Sequence, residues 1–328
     1  MKNERTFRAY FVYFGSMLCL VLLRAASALG WLEGISAKIG SSVAFSLFAQ
    51  CFSMGLVPLT LYFLLLTKRG SRLKTLKTDF RLNGIRARNF PEILVITFAT
   101  IYVTTCISAV WQGALGLIGF RSGGTSGGTG GGTGGGISFV ILQIFIVAVL
   151  PAIFEELTNR GVLGAAEKNE KEYILFSALL FALMHQNVTQ TGYTFVAGLV
   201  MAALCFYTNG IWAAVFFHFM NNFISVLRAY TGALDFLNRF FGLALGGGIG
   251  SVLGALLFVM SVVLIVMSFC RIKSRMPKKL PRYTVTEFCS FKNFDDGKPN
   301  NREKIFLWLT VGMNSAATIF SLVWGLLR

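Results

Sequence analysis

Nine runs of this chain are long and apolar enough to be read as membrane segments, near residues 9–32, 42–66, 92–118, 137–166, 173–188, 191–209, 210–228, 246–270 and 305–327. A helix rises ~1.5 Å per residue, so roughly 20 apolar residues cross a hydrocarbon core. Inside lipid each backbone N–H and C=O must be satisfied within its own segment or in a closed barrel. Runs of this length meet that demand as helices. The fold class expected is therefore all-α, a polytopic helical membrane protein with about eight to nine transmembrane helices, the fifth run being short. Composition points the same way: 55% hydrophobic and only 13% charged residues leave too little polar surface for a water-soluble domain. That excludes a soluble nucleic-acid binder and makes the lipid bilayer the first partner.

The formal net charge of +16 is then a matter of topology, since Lys and Arg concentrate in cytoplasmic loops. With the N-terminus cytoplasmic, the inside segments hold Lys2, Arg5 and Arg8, eight basic residues from Lys68 to Arg88, Lys168 and Lys171, and ten from Arg271 to Lys304. Outside lie only Lys38, Arg121, Arg228, Arg239 and Arg328, while Arg24 and Arg160 fall within the membrane. The expected location is an integral, multi-pass protein of a prokaryotic plasma membrane, or of the endoplasmic reticulum in a eukaryote. The segment 68–90 reads either as an interfacial helix on anionic lipid or as a solvated loop. The start MKNERTFR is basic like a signal peptide, but its apolar run is too long and lacks a clear cleavage site, so it is expected to stay as a first span.

Residues 121–136, RSGGTSGGTGGGTGGG, cannot bury apolar surface and are expected to form a flexible extracytoplasmic loop. A phosphate-cradling loop is disfavoured because no GK[ST] follows. The six cysteines include no CxxC pair, which argues against a disulfide framework or a thiolate metal site.

Against this background a few polar residues are out of place. The chain has two histidines, His185 in FSALLFALMHQN and His218 in WAAVFFHFMNNF, downstream of the acidic pair in LPAIFEELTNRG. Titratable groups in hydrocarbon cost a few kcal/mol unless paired or wet, so such a set reads as a functional site. Pro151 removes a backbone donor and is expected to kink the helix beside the acids. Glu156 and Arg160 are i,i+4 and can pair, while Glu155 points about 100° away as the free carboxylate, suited to general acid or base work. Phe181 and His185 share the i,i+4 spacing, as do His218 and Asn222, whose imidazole and amide could converge on one small group. Counted from the cytoplasmic ends, Glu155, His185, His218 and Asn222 all lie about 12–18 Å deep. Blander roles exist for each. Glu156–Arg160 could be an interfacial salt bridge, and a single intramembrane histidine a packing hydrogen-bonder.

The pattern EExxxR, FxxxH, HxxxN, carried by Glu155, Glu156 and Arg160, then Phe181 and His185, then His218 and Asn222, resembles the intramembrane endopeptidase (CPBP) family that includes the CAAX prenyl proteases and the bacteriocin-processing or self-immunity proteins. The match covers roughly Leu150 to Phe223. The resemblance implies that Glu155 activates water with His185, that Glu156 and Arg160 hold their helix in place, and that His218 with Asn222 stabilises the tetrahedral oxyanion. It implies a membrane-embedded or membrane-anchored protein or peptide as substrate. The expected organisation is N-terminal helices with a basic cytoplasmic loop (1–120), the Gly-rich loop (121–136), the catalytic core (137–228) and C-terminal helices with a basic cytoplasmic segment (229–328).

No cofactor is favoured. Zinc is the alternative, because Glu155, His185 and His218 could form a His₂Glu set, although HExxH geometry is lacking and a Glu-activated water opposite a His/Asn oxyanion hole needs no ion. The leading reading is a hydrolase with a water-filled cavity open to the cytoplasm. A non-proteolytic scaffold or self-immunity protein on the same fold is the alternative, and a proton-coupled transporter a third, disfavoured because no inverted repeat is visible.

Overall fold

A computed structural model describes residues 2–31, 48–68, 70–121, 136–166, 169–246, 248–276 and 304–327; most of these are helical, and no strand occurs among them. In chain order the helices are α1 (Lys2–Ala28), α2 (Phe48–Leu65), α3 (Arg72–Asp79), α4 (Phe90–Leu117), α5 (Ile137–Ala166), α6 (Glu170–Met184), α7 (Val188–Thr208), α8 (Ile211–Tyr230), α9 (Asp235–Leu245), α10 (Gly248–Ser274) and α11 (Ile305–Leu326). The chain is an all-α polytopic membrane protein. Most of the Gly-rich run, the basic stretch 277–303, Lys38, Lys168 and Cys289 lie outside the described residues.

Seven of these helices are long and apolar enough to cross a membrane. The two expected spans that are not among them are α6 and α8, and both carry site motifs. α6 has 15 residues, too few for a full crossing, and most of them are buried. α8 has 20, but His218, Asn221, Asn222 and Arg228 dilute its apolar window. Such helices can sit at membrane depth because other helices, rather than lipid, surround their polar groups.

One end of the bundle gathers the basic segments into an ionic layer. Arg5 pairs with Asp79 at the end of α3, and the Tyr62 hydroxyl donates to the same carboxylate at 2.7 Å. The 68–90 segment is thus a short helix tied down at a buried acid. Arg275 meets Glu92 at 2.8 Å, Lys304 meets Glu172 at 3.2 Å and Lys273 meets Glu170 at 3.7 Å. In the same layer Thr6 donates to Ala166 O at the last turn of α5, and Ile211 N–H at the start of α8 donates to Arg81 O.

The hairpin of α6 and α7 is closely packed, with a small-residue contact at its centre: a Cβ on Gly198 would lie 2.9 Å from Ala178 Cα, so a larger residue would push the helices apart. α5 is irregular in a way that matters for the site. Two wide i→i+5 turns, Ile144–Val149 and Leu157–Val162, flank the α-helical stretch Leu150–Glu156. Wide turns of this kind recur at functional sites, since they re-aim side chains and free carbonyls.

Candidate active site

Glu155 and Glu156 leave the α-helical stretch of α5 in different directions, as their ~100° separation requires. Glu156 turns into the protein and is fully buried. Its Oε2 lies 3.1 Å from Arg160 Nε, the i,i+4 pairing expected from spacing, and its Oε1 lies 2.9 Å from His218 Nδ1 on α8. A carboxylate accepts only, so His218 carries its hydrogen on Nδ1 and presents Nε2 to the site. Glu156 thereby joins α5 to α8, a link that spacing along the chain did not suggest.

Arg160 is also fully buried. Its Nη2 donates to Gly198 O at 3.3 Å, reachable because glycine lets α7 approach, and its Cζ sits 4.6 Å over the Phe181 ring. Phe181 is the packing hub of the motifs: its ring meets His185 edge-on at 5.1 Å and His218 at 5.6 Å. His185 ends α6, where its Nδ1 lies 2.8 Å from Phe181 O; a carbonyl only accepts, so Nδ1 carries the hydrogen and Nε2 remains an acceptor.

Glu155 faces a cavity. Its Oε1 accepts from Gln50 Nε2 at 3.0 Å, and its Oε2 is buried without a hydrogen-bond partner, 3.9 Å from His218 Nε2. That gap is too long for a direct hydrogen bond and is of the kind a water bridges. The cavity, about 350 Å³, is lined by Glu155 and His185 together with Arg24, Gln50 and apolar side chains such as Leu20 and Met184.

The structure therefore brings Glu155, Glu156, Arg160, Phe181, His185 and His218 into one cluster around Phe181. Asn222 is engaged elsewhere. Its Nδ2 donates at 2.9 Å to Val147 O in α5, and its Oδ1 accepts from Asn221. Val147 lies in the wide turn four residues ahead of Pro151, which has no N–H to offer that carbonyl in the ordinary i→i+4 register, and Asn222 gives it a side-chain donor. The His218–Asn222 convergence expected from their shared helical face is replaced by two separate engagements, because α8 packs between two different turns of α5.

Three further residues escaped the motif reading. Gln50 holds Glu155. Asn159 Nδ2 donates to Glu155 O and Asn159 Oδ1 accepts from the Tyr13 hydroxyl at 2.7 Å, bracing the turn below the acids. Arg24 Nη1 donates to His185 O at 2.9 Å and to Gln186 Oε1 at 3.2 Å. The one signal in the sequence was an Arg, a Gln and an Asn inside or beside apolar runs.

Along α1 the cavity lining lies away from the basic layer. Ala166 and Thr6 mark the basic end; from Thr6 to Arg24 is eighteen residues, about 27 Å of helix, whereas from Ala166 back to Glu155 is eleven, about 16 Å. The lining from α1 thus lies beyond Glu155, toward the end of the bundle opposite the basic layer. Glu155, His185 and His218 would suit zinc as donors, but among the described residues no three His, Cys, Asp or Glu side chains converge as a metal-binding group.

A family model described as type II CAAX prenyl endopeptidase Rce1-like matches residues 137–224. No curated protein and no solved structure matches the chain. The matched stretch runs from the start of α5 into α8 and contains all seven motif residues, Glu155, Glu156, Arg160, Phe181, His185, His218 and Asn222. Residues 137–224 thus match an Rce1-like domain, the type II CAAX prenyl endopeptidase model, within an all-α polytopic membrane protein.

Proposed function

We propose that the protein hydrolyses a peptide bond of a membrane-associated or lipidated protein or peptide, with Glu155 as the general base. The observation that carries this reading is the Glu155 carboxylate, held at Oε1 by Gln50 and left with a buried, partnerless Oε2 that faces both the cavity and His218 Nε2. A water between these groups would give a proton to Glu155 Oε2 while its oxygen attacks the scissile carbonyl carbon. His185 Nε2, an acceptor because Nδ1 is committed to Phe181 O, would orient that water. The electron pair displaced from the C=O bond would go to the carbonyl oxygen. His218, protonated on both nitrogens, would meet that oxyanion through Nε2–H, with Glu156 stabilising the charged ring through Nδ1. Collapse would break the C–N bond, and the proton on Glu155 would go to the leaving nitrogen.

In this scheme Glu156, Arg160 and Asn222 are positioning residues. With the basic layer cytoplasmic, the substrate would reach Glu155 from the bilayer or from the opposite end of the bundle, along the cavity beside α1. No step is routed through a metal, since the three candidate ligands do not converge.

The test compares membrane fractions of cells carrying wild type or Glu155→Gln for protein fragments with new C-terminal or juxtamembrane ends. Fragments that vanish with Glu155→Gln, at unchanged protein level, are expected. Identical fragment profiles in the two would overturn the hydrolase assignment.

A further inference from the structure

The turn that carries His185 is held from outside the matched stretch 137–224. α6 and α7 reverse direction within three residues, His185 to Asn187. Gln186 takes a left-handed backbone there, at φ 53°, which a residue with a Cβ keeps only where its surroundings enforce it. Arg24 of α1 supplies one restraint, donating to His185 O and Gln186 Oε1. α11 supplies two more. Gln186 Nε2 donates to Asn314 Oδ1 at 2.9 Å, and Val188 N–H, at the start of α7, donates to Ser321 Oγ at 2.9 Å.

The pattern of α11 suits these contacts. Thr310, Asn314, Thr318 and Ser321 fall at i, i+4, i+8 and i+11 on one stripe, of which the first three are buried, while Ile319, Phe320 and Val323 on the other side are exposed. Polar side chains on the inward face of an apolar helix act through the hydrogen bonds they make. Asn314 Nδ2 donates to Thr310 O, and Ser321 Oγ donates to Thr318 O. Each side chain is thus oriented by its own helix, with an acceptor turned to the α6–α7 turn.

We propose that Asn314 and Ser321 are positioning residues for His185, so that a helix far beyond the matched stretch completes the active site. By fixing Gln186 and Val188 they keep the imidazole with Nδ1 on Phe181 O and Nε2 toward the cavity of Glu155. The catalytic meaning of this rests on the hydrolase reading above. A released turn would give Nε2 many orientations in place of one, a loss of alignment that lowers rate.

The experiment uses the full-length protein with ¹⁵N-labelled histidine, in lipid bilayers, observed by magic-angle-spinning NMR. With two histidines in the chain, His218 serves as the internal reference. Wild-type His185 is expected as a single Nδ1–H tautomer. Asn314→Ala and Ser321→Ala should each mix its tautomers and leave His218, anchored on Glu156, unchanged. Ser321→Thr keeps the hydroxyl and should restore the wild-type signal. Thr310→Val is the control for packing of α11, since the Thr310 hydroxyl donates to Phe306 O of its own helix, and should leave both rings unchanged. In cells, Glu155-dependent fragments should form up to about a hundred-fold more slowly with Asn314→Ala, as for a slightly misplaced catalytic group. If Asn314→Ala does not fold, the two Ser321 variants decide alone. Wild-type His185 signals in both alanine variants overturn the proposal. Equal changes at both histidines, or the same change in Thr310→Val, would make α11 a packing element only and also overturn it, as would undiminished fragment formation beside a changed His185 ring. A change confined to His185 in the alanine variants, with no Glu155-dependent fragments from wild type, leaves the hold on His185 standing and refutes the hydrolase.

Discussion

Asn222 offers the sharpest division between a residue that acts on the reaction and one that shapes the helix carrying the catalytic acid. In the structure its amide donates to Val147 O, a carbonyl that Pro151 cannot serve in the ordinary i→i+4 register. Asn222→Ala should therefore strand a carbonyl at a depth where no water replaces the donor, at a cost of about 1–3 kcal/mol. Pro151→Ala changes the premise, because the new N–H at position 151 can take Val147 O in the ordinary helical register. In that background Asn222→Ala should cost no more than about 0.5 kcal/mol, so the cycle should return a coupling of about 0.5–3 kcal/mol. Unfolding in mixed detergent micelles measures it, with cleavage followed on the same four preparations. Activity lost in Asn222→Ala should largely return in the double variant relative to Pro151→Ala. An unchanged stability with a kcat loss of about 10²–10³ in both backgrounds, the usual effect of removing an oxyanion donor, would refute the capping role.

Glu156→Gln should destabilise the protein by about 3 kcal/mol, because it leaves Arg160 without its carboxylate and His218 without its Nδ1 anchor, whereas Glu155→Gln should leave the unfolding midpoint nearly unchanged; equal destabilisation by both would overturn the division between the two acids. In a cysteine-free background, a membrane-impermeant thiol reagent applied to intact cells should label a cysteine placed at Ala233 but not one placed at Ser71 or Ser274; labelling at Ser71 would invert the orientation. Exhaustive chelation should leave cleavage intact, and stoichiometric zinc lost and regained together with activity would refute the metal-free scheme.

The spans were legible because lipid imposes one rule on every segment, that the backbone satisfy itself, and length and apolarity are enough to apply it. The same holds for contacts within one helix. Glu156 with Arg160 and His185 with the Phe181 turn follow from a period of 3.6 residues, and the structure has both. The two shorter or more polar helices, α6 and α8, were harder to read as spans since their neighbours, not lipid, make their polar residues tolerable.

Contacts between helices were another matter. That His218 Nδ1 lies on Glu156, that Gln50 holds Glu155 and that Asn222 serves Val147 depends on how α2, α5 and α8 are rotated and slid against one another. The wide turns in α5 on either side of Leu150–Glu156 shift the phase of its side chains, so equal depth counted along separate helices did not establish which groups face each other. The sequence by itself determined an all-α membrane protein, seven of its expected spans and the chemical types available at the site, because these depend on local composition and periodicity. The tertiary structure alone decided the partners of each imidazole and carboxylate, and which residues of α1 line the cavity, because relative rotation and register of packed helices are properties of the whole assembly of side chains and not of any one segment.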